Sequence, residues 1–229
     1  MSLGQKIEKV RALLHEIETD YAPAAFANSL GAEDMVLTDL IVRDYPGIEI
    51  FSFDTGRLPE ETLQLLHEIK QRYGYTVRVY SPDAAAVERY VAEHGKNAFY
   101  DSVELRKECC RIRKVEPLQR ALAGKRAWIT GMRRQQAVTR KELAESEYDA
   151  ENGLQKFNPL AGWSQFDVWT YIQNFNVPYN ALHDKGYASI GCAPCTRATT
   201  PGEDVRAGRW WWEDPELKEC GLHAKTRTA

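Results

Sequence analysis

Five cysteines stand where chemistry could be done: Cys109 and Cys110 side by side, Cys192 and Cys195 in a C-x-x-C, and Cys220 near the end. Four thiolates are soft donors that suit either structural zinc or an iron–sulfur cluster. A C-x-x-C turn lets two sulfurs converge on one centre, whereas neighbouring side chains tend to diverge. A tandem pair is therefore awkward for tetrahedral zinc, whose paired ligands are usually two to four residues apart. A cubane spreads its corner irons over a larger volume and accepts ligands from adjacent residues. Zinc, buried core thiols and a redox-active C-x-x-C remain the alternatives. The odd count leaves Cys220 outside any such set of four. In a terminal segment its thiol is accessible, and nearby His223 or an arginine would raise its thiolate fraction. An incidental surface cysteine is the plainer account of it.

A second constellation is the turn Ser29-Leu30-Gly31-Ala32-Glu33-Asp34. A small, glycine-containing turn before a helix can aim backbone N–H groups at an anion, and the helix dipole adds to the attraction. It matches neither GxxxxGK[ST] nor GxGxxG, and an ordinary β–α turn fits it as well. Its place after a first strand favours a ligand site, because ligands bind at the carboxyl ends of strands in α/β sheets. Basic residues gather at Arg111, Arg113 and Lys114, at Arg133 and Arg134, and at Arg206 and Arg209 before Trp210-Trp211-Trp212. In a chain of net charge −3 they fit a small anionic substrate better than a polyanion. Solvated helix faces would explain the cations equally, and packing would explain the tryptophans.

The elements that must position these groups read as alternating strands and helices. Helical spacing covers residues 5–18, 33–43, 59–73, 84–93, 103–123 and 164–174, with Pro117 expected to kink or divide the fifth. Strands are predicted at 24–27, 48–53, 76–80 and 127–130, with a turn at 28–31 and a loop at Asp54-Thr55-Gly56. Residues 142–153 are charged and loop-like, and the chain from Pro178 onward is rich in turns. This order predicts an α/β fold with a mainly parallel central sheet, helices on both faces and an irregular C-terminal extension. The expected organisation is one domain over residues 1–212 and a mobile tail over 213–229 carrying Cys220. No apolar run reaches the ~20 residues that span a bilayer, and the N-terminus reads as an amphipathic helix rather than a signal peptide. A cytoplasmic protein is expected, with no membrane and no nucleic-acid partner, and with assembly into a homo-oligomer left open.

Taken together, KECCRIRKVEPL, GCAPCTR and ECGLH resemble the cluster-containing sulfonucleotide reductases of the assimilatory adenylyl-sulfate (APS) type. SLGAED, FDTGRLPEET and GMRRQQAVTR resemble their nucleotide-site segments, so the likeness runs from about Ser29 to His223. It implies an adenine nucleotide α-hydrolase-like fold, with a 4Fe–4S cluster on Cys109, Cys110, Cys192 and Cys195. The implied reaction reduces adenosine 5′-phosphosulfate to sulfite and AMP. By position Cys220 matches the nucleophile, Lys114 the lysine linking substrate and cluster, and Arg206, Arg209 and His223 further active-site groups. Asn28, Ser29 and Gly31 match the modified phosphate loop, although Leu30 departs from the family's S-x-S-G form. Asp54, Gly56, Arg57, Arg133 and Arg134 fall within the other nucleotide-site segments. The chain ends six residues after His223, so the reductant is expected to be a separate thioredoxin or glutaredoxin-like protein. The competing expectations are a PAPS or dual APS/PAPS reductase, a cluster-dependent tRNA thiolation enzyme, and an iron–sulfur redox sensor. SLGAED departs from the SGGxDS loop expected of the tRNA enzyme, and a pI of about 6.0 argues against an RNA surface. The sensor reading leaves Lys114, Arg209 and ECGLH without a role.

Overall fold

The computed structural model of the chain describes residues 1–137, 140–214 and 218. Helix α1 (Leu3–Asp20) opens with a Ser2–Gln5 capping box and buries Ile7, Val10, Leu14 and Ile17 on one face. Strand β1 (Ala24–Ala27) is followed by α2 (Ala32–Asp44), and β2 (Ile48–Phe53) by α3 (Glu60–Tyr73), whose N-cap is Pro59. Then come β3 (Arg78–Tyr80), α4 (Ala84–His94) and α5 (Val103–Cys110). A π-helical turn, Arg111–Val115, joins α5 to α6 (Glu116–Leu122). Strands β4 (Ala127–Ile129), β5 (Ser146–Asp149) and β6 (Leu154–Phe157) precede α7 (Gln165–Phe175).

The sheet has the order β3-β2-β1-β4-β6-β5, parallel except for β5, which runs antiparallel to β6 at the edge. Period-two alternation divides β1, β2, β4 and β6 between two cores. Phe26, Ile48, Ile50, Ala127, Ile129 and Phe157 face a large core shared with α1, α2, α3 and α7. Ala25, Phe51, Trp128 and Leu154 face a smaller one closed by Leu118, Ala121 and Leu122 of α6. Helices thus cover both faces. A third buried cluster lies apart from the sheet and holds Cys109, Cys110, Cys192 and Cys195 with Tyr90, Phe99, Ile112 and Trp210.

Two expectations need correction. Residues 142–153 are not simply a loop, because β5 lies within them. Ser-Glu-Tyr-Asp at a solvent edge carries the charge that protects an unpaired strand, and that charge hides the strand from a hydrophobic pattern. Residues 103–123 are interrupted before Pro117 rather than at it. The Glu116 N–H reaches back five residues to the Arg111 carbonyl, and this wider turn brings the chain to a proline that has no N–H to give.

Chain direction reverses at one place in the sheet. The chain builds outward from β1 to β2 and β3, then returns to lay β4 on the other side of β1. Loops leaving β1 and β4 therefore diverge and open a crevice at the carboxyl ends of the strands, the usual ligand site of such sheets. The helices behind the crevice are tied by Asp39, fully buried on α2. It accepts Tyr73 Oη of α3 and Tyr171 Oη of α7, each at 2.8 Å, and Arg43 Nε at 2.9 Å. Asp39→Ala should cost about 3 kcal/mol in urea unfolding, because it leaves two tyrosine hydroxyls without their acceptor, whereas Tyr171→Phe should cost only about 1 kcal/mol. Equal small losses from both would contradict this tie.

Candidate active site

The crevice is a cleft of about 200 Å³ lined from both loops, from the π-helical turn and from the C-terminal third. Its β1 side is built by residues that satisfy one another. Asn28 is buried, donates through Nδ2 to Thr38 Oγ1 at 2.8 Å, and accepts the Leu30 N–H at 2.7 Å. That second bond supports Leu30 at φ +63°, a left-handed conformation unusual for leucine. The Leu30 side chain is buried in the main core. Where the family form has a second serine, this chain has a hydrophobic anchor.

Asp34, in the first turn of α2, takes up the donors of this loop. Its Oδ2 accepts Ser29 N at 2.6 Å and Ser29 Oγ at 2.5 Å, and its carboxylate also accepts the backbone of Gly131. Gly131 follows β4 so closely that any Cβ there would collide with the Asp34 carboxylate. Desolvation pushes the Asp34 carboxyl up to about 7, against the lowering effect of its Ser29 bonds. Glu33 is ion-paired with Arg133 at 2.6 Å, and Arg133 is almost wholly buried and also donates to the Trp163 carbonyl. Arg133 thus helps hold the cleft wall, and Arg134 donates to the Leu143 carbonyl at 2.8 Å. Neither is among the residues lining the cleft.

The opposite wall is shared with the cysteine pocket. Cys109 and Cys110 end α5, while Cys192 and Cys195 bracket a short 3-10 turn. All four are buried and none forms a disulfide. The i,i+4 spacing sets Arg113 and Lys114 one turn beyond the two adjacent cysteines. Arg113 hydrogen-bonds Cys109 and donates to the Thr55 carbonyl at 2.6 Å. Lys114 lines the cleft and lowers the Cys195 pKa through its charge. From the loop after β2, Thr55 Oγ1 lies 3.2 Å from Cys192 Sγ, and the Arg57 carbonyl accepts the Ala193 N–H at 2.8 Å. Asp54 caps Gly56 N at 2.8 Å, and Gly56 takes φ +69° there. The Arg57 guanidinium turns away to the Lys96 carbonyl, Asn97 and the Phe99 ring.

Burial pushes the Cys195 thiol up to about 12 and raises Cys109 above its usual value, with nearby Cys192 adding repulsion to both. Four thiolates packed this way need a cationic centre to remain ionised. Among the described residues no three His, Cys, Asp or Glu side chains close around one point as a single metal ion requires. In the same pocket Trp210 Nε1–H is buried and has no partner. Four buried soft sulfur donors beside a buried N–H that has no partner suit a sulfur-rich group such as an iron–sulfur cluster. Lys114, Arg209 and Trp210 each line the cleft as well.

The segment leading to the tail is fixed at this wall. The Arg106 and Arg209 guanidinium groups each lie 4.7 Å from the centroid of the Trp210 ring. Arg106 holds Glu213 through two bonds of 2.9 and 2.6 Å in a fully buried ion pair. Arg209 donates to the Ile190 carbonyl at 3.0 Å, and its guanidinium lies flat on Gly191, where a Cβ would not fit. Arg206 lines the cleft and donates to the Lys218 carbonyl at 2.9 Å. Cys220 and His223 lie outside the described residues.

The profile of the Phosphoadenosine phosphosulfate reductase domain matches residues 23–198. This chain belongs to that family. The adenosine 5′-phosphosulfate reductase of Burkholderia cepacia is 57% identical over 226 residues, covering 99% of this chain and 90% of that protein. Among solved structures, the phosphoadenylyl-sulfate (PAPS) reductase from Candida auris, in a phosphate complex, aligns with a TM-score of 0.71. It is 29% identical and covers 82% of this chain and 90% of that one. Candida glabrata FMN adenylyltransferase in complex with ATP shares the fold, with a TM-score of 0.61 at 16% identity over 95% of this chain and 74% of that one. The sheet is thus the adenine nucleotide α-hydrolase-like one that the motifs implied.

Several residues of this reductase-family site are not singled out by the sequence alone. Asp34 and Thr55 sit inside quoted motifs, and Trp210 is one of three adjacent tryptophans, so burial alone distinguishes them. His183 also lines the cleft, and a lone histidine in a turn-rich stretch carries no signal.

The Asp34 carboxyl gives a signed test. Its folded pKa of about 7 lies above the model-peptide value of 3.8, so folding favours the protonated form. Stability from this site is greatest below pH ~4 and is lost as pH rises through ~7. Relative to Asp34→Asn, the native protein should lose on the order of 4 kcal/mol across that window in urea titrations. A pH-independent difference would contradict the burial argument.

Proposed function

We propose that this chain reduces adenosine 5′-phosphosulfate to sulfite and AMP for sulfate assimilation. The observation that carries this reading is the shared wall: Lys114, Arg209 and Trp210 belong both to a nucleotide-sized cleft at the sheet's switch point and to a pocket of four buried thiols. Near-full-length identity to an adenosine 5′-phosphosulfate reductase supports the substrate.

In this reading Cys109, Cys110, Cys192 and Cys195 hold a 4Fe–4S cluster. When bound, the cluster supplies a charged, polarising group beside the cleft, and no electron transfer through it is required. Apolar Phe53, Leu118 and Trp128 accommodate the adenine ring. Lys114, Arg206 and Arg209 neutralise the phosphosulfate, and Asn28, Ser29 and Gly31 shape the wall behind it. Asp54 and Gly56 set the turn that carries Thr55 to the cysteines, and Arg57, Arg133 and Arg134 brace the surrounding loops.

The Cys220 thiolate attacks the sulfate sulfur. The S–O bond to phosphate breaks, AMP leaves as its phosphate anion, and Cys220 becomes an S-sulfocysteine. A thiolate of a separate dithiol protein, thioredoxin or a glutaredoxin-like one, then attacks Cys220 Sγ and expels sulfite. Its second thiol resolves the mixed disulfide, so two electrons come from two thiols and Cys220 returns reduced. His223 lies near enough in sequence to assist the thiolate. The chain beyond the fixed Glu213 delivers Cys220 in this scheme, which works in the cytoplasm with no membrane or nucleic-acid partner. Among the described residues no helix is long and apolar enough to cross a membrane.

The test is anaerobic sulfite release with thioredoxin, comparing APS with PAPS. APS should be turned over at least tenfold faster than PAPS, and Cys220→Ser should abolish release while AMP still binds. Faster turnover of PAPS would reassign the substrate, and sulfite from the Cys220→Ser protein would remove the nucleophile.

A further inference from the structure

Among the described residues, three buried side-chain polar atoms have no hydrogen-bond partner: Arg209 Nε, Trp210 Nε1 and His183 Nε2. All three residues line the cleft. The first two are donors and suit an anionic or sulfur-rich neighbour. The third is of opposite character.

His183 Nδ1 lies 2.7 Å from the Tyr187 carbonyl oxygen. A carbonyl only accepts, so Nδ1 carries the ring proton and the neutral ring presents a bare lone pair at Nε2. Desolvation holds the His183 pKa below its usual value, against the opposing fields of Glu33 and Asp184. The ring is fixed edge-on to Trp169, 5.2 Å between centroids. The turn that carries it, Ala181–Lys185, closes on Gly186 in the left-handed region. His183 therefore lines the cleft with a buried acceptor that has no partner, and leaving such an acceptor unpaired is costly.

Its partner must be a donor. A phosphosulfate offers only acceptor oxygens, so the donor belongs to the nucleoside, as a ribose hydroxyl or the adenine amino group. The apolar lining for the base is Phe53, Leu118 and Trp128, whereas His183 feels the charge of Glu33 in the first turn of α2, on the polar side with Ser29 and Gly31. With the phosphosulfate held before Ser29 and Gly31, the sugar that joins it to the base is the donor-bearing group nearest that wall. We propose that His183 Nε2 accepts a hydrogen bond from a ribose hydroxyl of the bound adenosine nucleotide. The assignment rests on the nucleotide reading above. It has a consequence for selectivity: a phosphate on that hydroxyl removes the donor and sets acceptor against acceptor. A site built to receive a hydrogen bond rejects the analogue that lacks it.

The test is calorimetric binding of AMP, 2′-deoxy-AMP, 3′-deoxy-AMP and purine riboside monophosphate to the native protein, His183→Phe and His183→Gln. One deoxy analogue should bind the native protein about tenfold more weakly than AMP does. His183→Phe should weaken AMP by a similar factor and remove most of the penalty for that same analogue. His183→Gln, whose Oε1 can accept in place of Nε2, should recover part of the affinity. If the Phe variant does not fold, His183→Ala gives the same comparison. A deoxy penalty as large in the variants as in the native protein overturns the proposal. So does non-additivity appearing only with the purine riboside, which would place His183 at the base. If the native protein binds no AMP, the nucleotide reading itself fails.

Discussion

One buried carboxylate holds the two halves of the cleft in register. Asp34 accepts both donors of Ser29 on the β1 loop and the backbone of Gly131 on the β4 loop. Those loops leave adjacent strands in divergent directions, which is what opens the crevice. The Glu33–Arg133 ion pair joins the same two segments beside it. Burying an acid there is costly and pushes its pKa up to about 7. The N-terminal end of α2 and the bonds it accepts oppose that cost. The anion-favouring corner of the fold is thus partly occupied by the protein's own carboxyl, and the cleft-lining cations Lys114, Arg206 and Arg209 stand on the far wall.

That far wall joins two chemistries. The π-helical turn after Cys110 carries Arg113, which bonds Cys109, and Lys114, which lines the cleft. Arg209 and Trp210 play a similar double part from the C-terminal third, each with one orphaned donor. The buried Arg106–Glu213 pair fixes the chain shortly before residue 220 to the same helix that ends in the cysteine pair. Loss of one member of such a pair is costly because it strands the other charge in a dry site. Charge at the sulfur pocket, charge in the cleft and the root of the tail therefore share one rigid support.

Much of this was legible in the sequence, and the gaps have physical causes. Cysteine spacing is a chemical signal that needs no fold, and strand–helix alternation through residue 130 is carried by hydrophobic periodicity. Strand β5 escaped because its exposed edge is charged. The π-helical turn escaped because periodicity marks a continuous helix and Pro117 draws attention to itself rather than to the turn before it. Residue type also overstates availability: Asn28 spends its amide holding Leu30 and Thr38, and Arg133 is paired with Glu33. His183 shows the reverse, since only the Tyr187 bond reveals which nitrogen remains to accept.

The central claim is that a thiol outside the four-cysteine pocket does the covalent work on a phosphosulfate held in this cleft. The most direct measurement is peptide mass spectrometry after one anaerobic turnover of the iron-loaded protein with APS and no reductant. The account requires one added sulfonate on the Cys220 peptide, stoichiometric with AMP and removed on adding thioredoxin. AMP release with Cys220 unmodified, or a sulfonate on one of the other four cysteines, would contradict it.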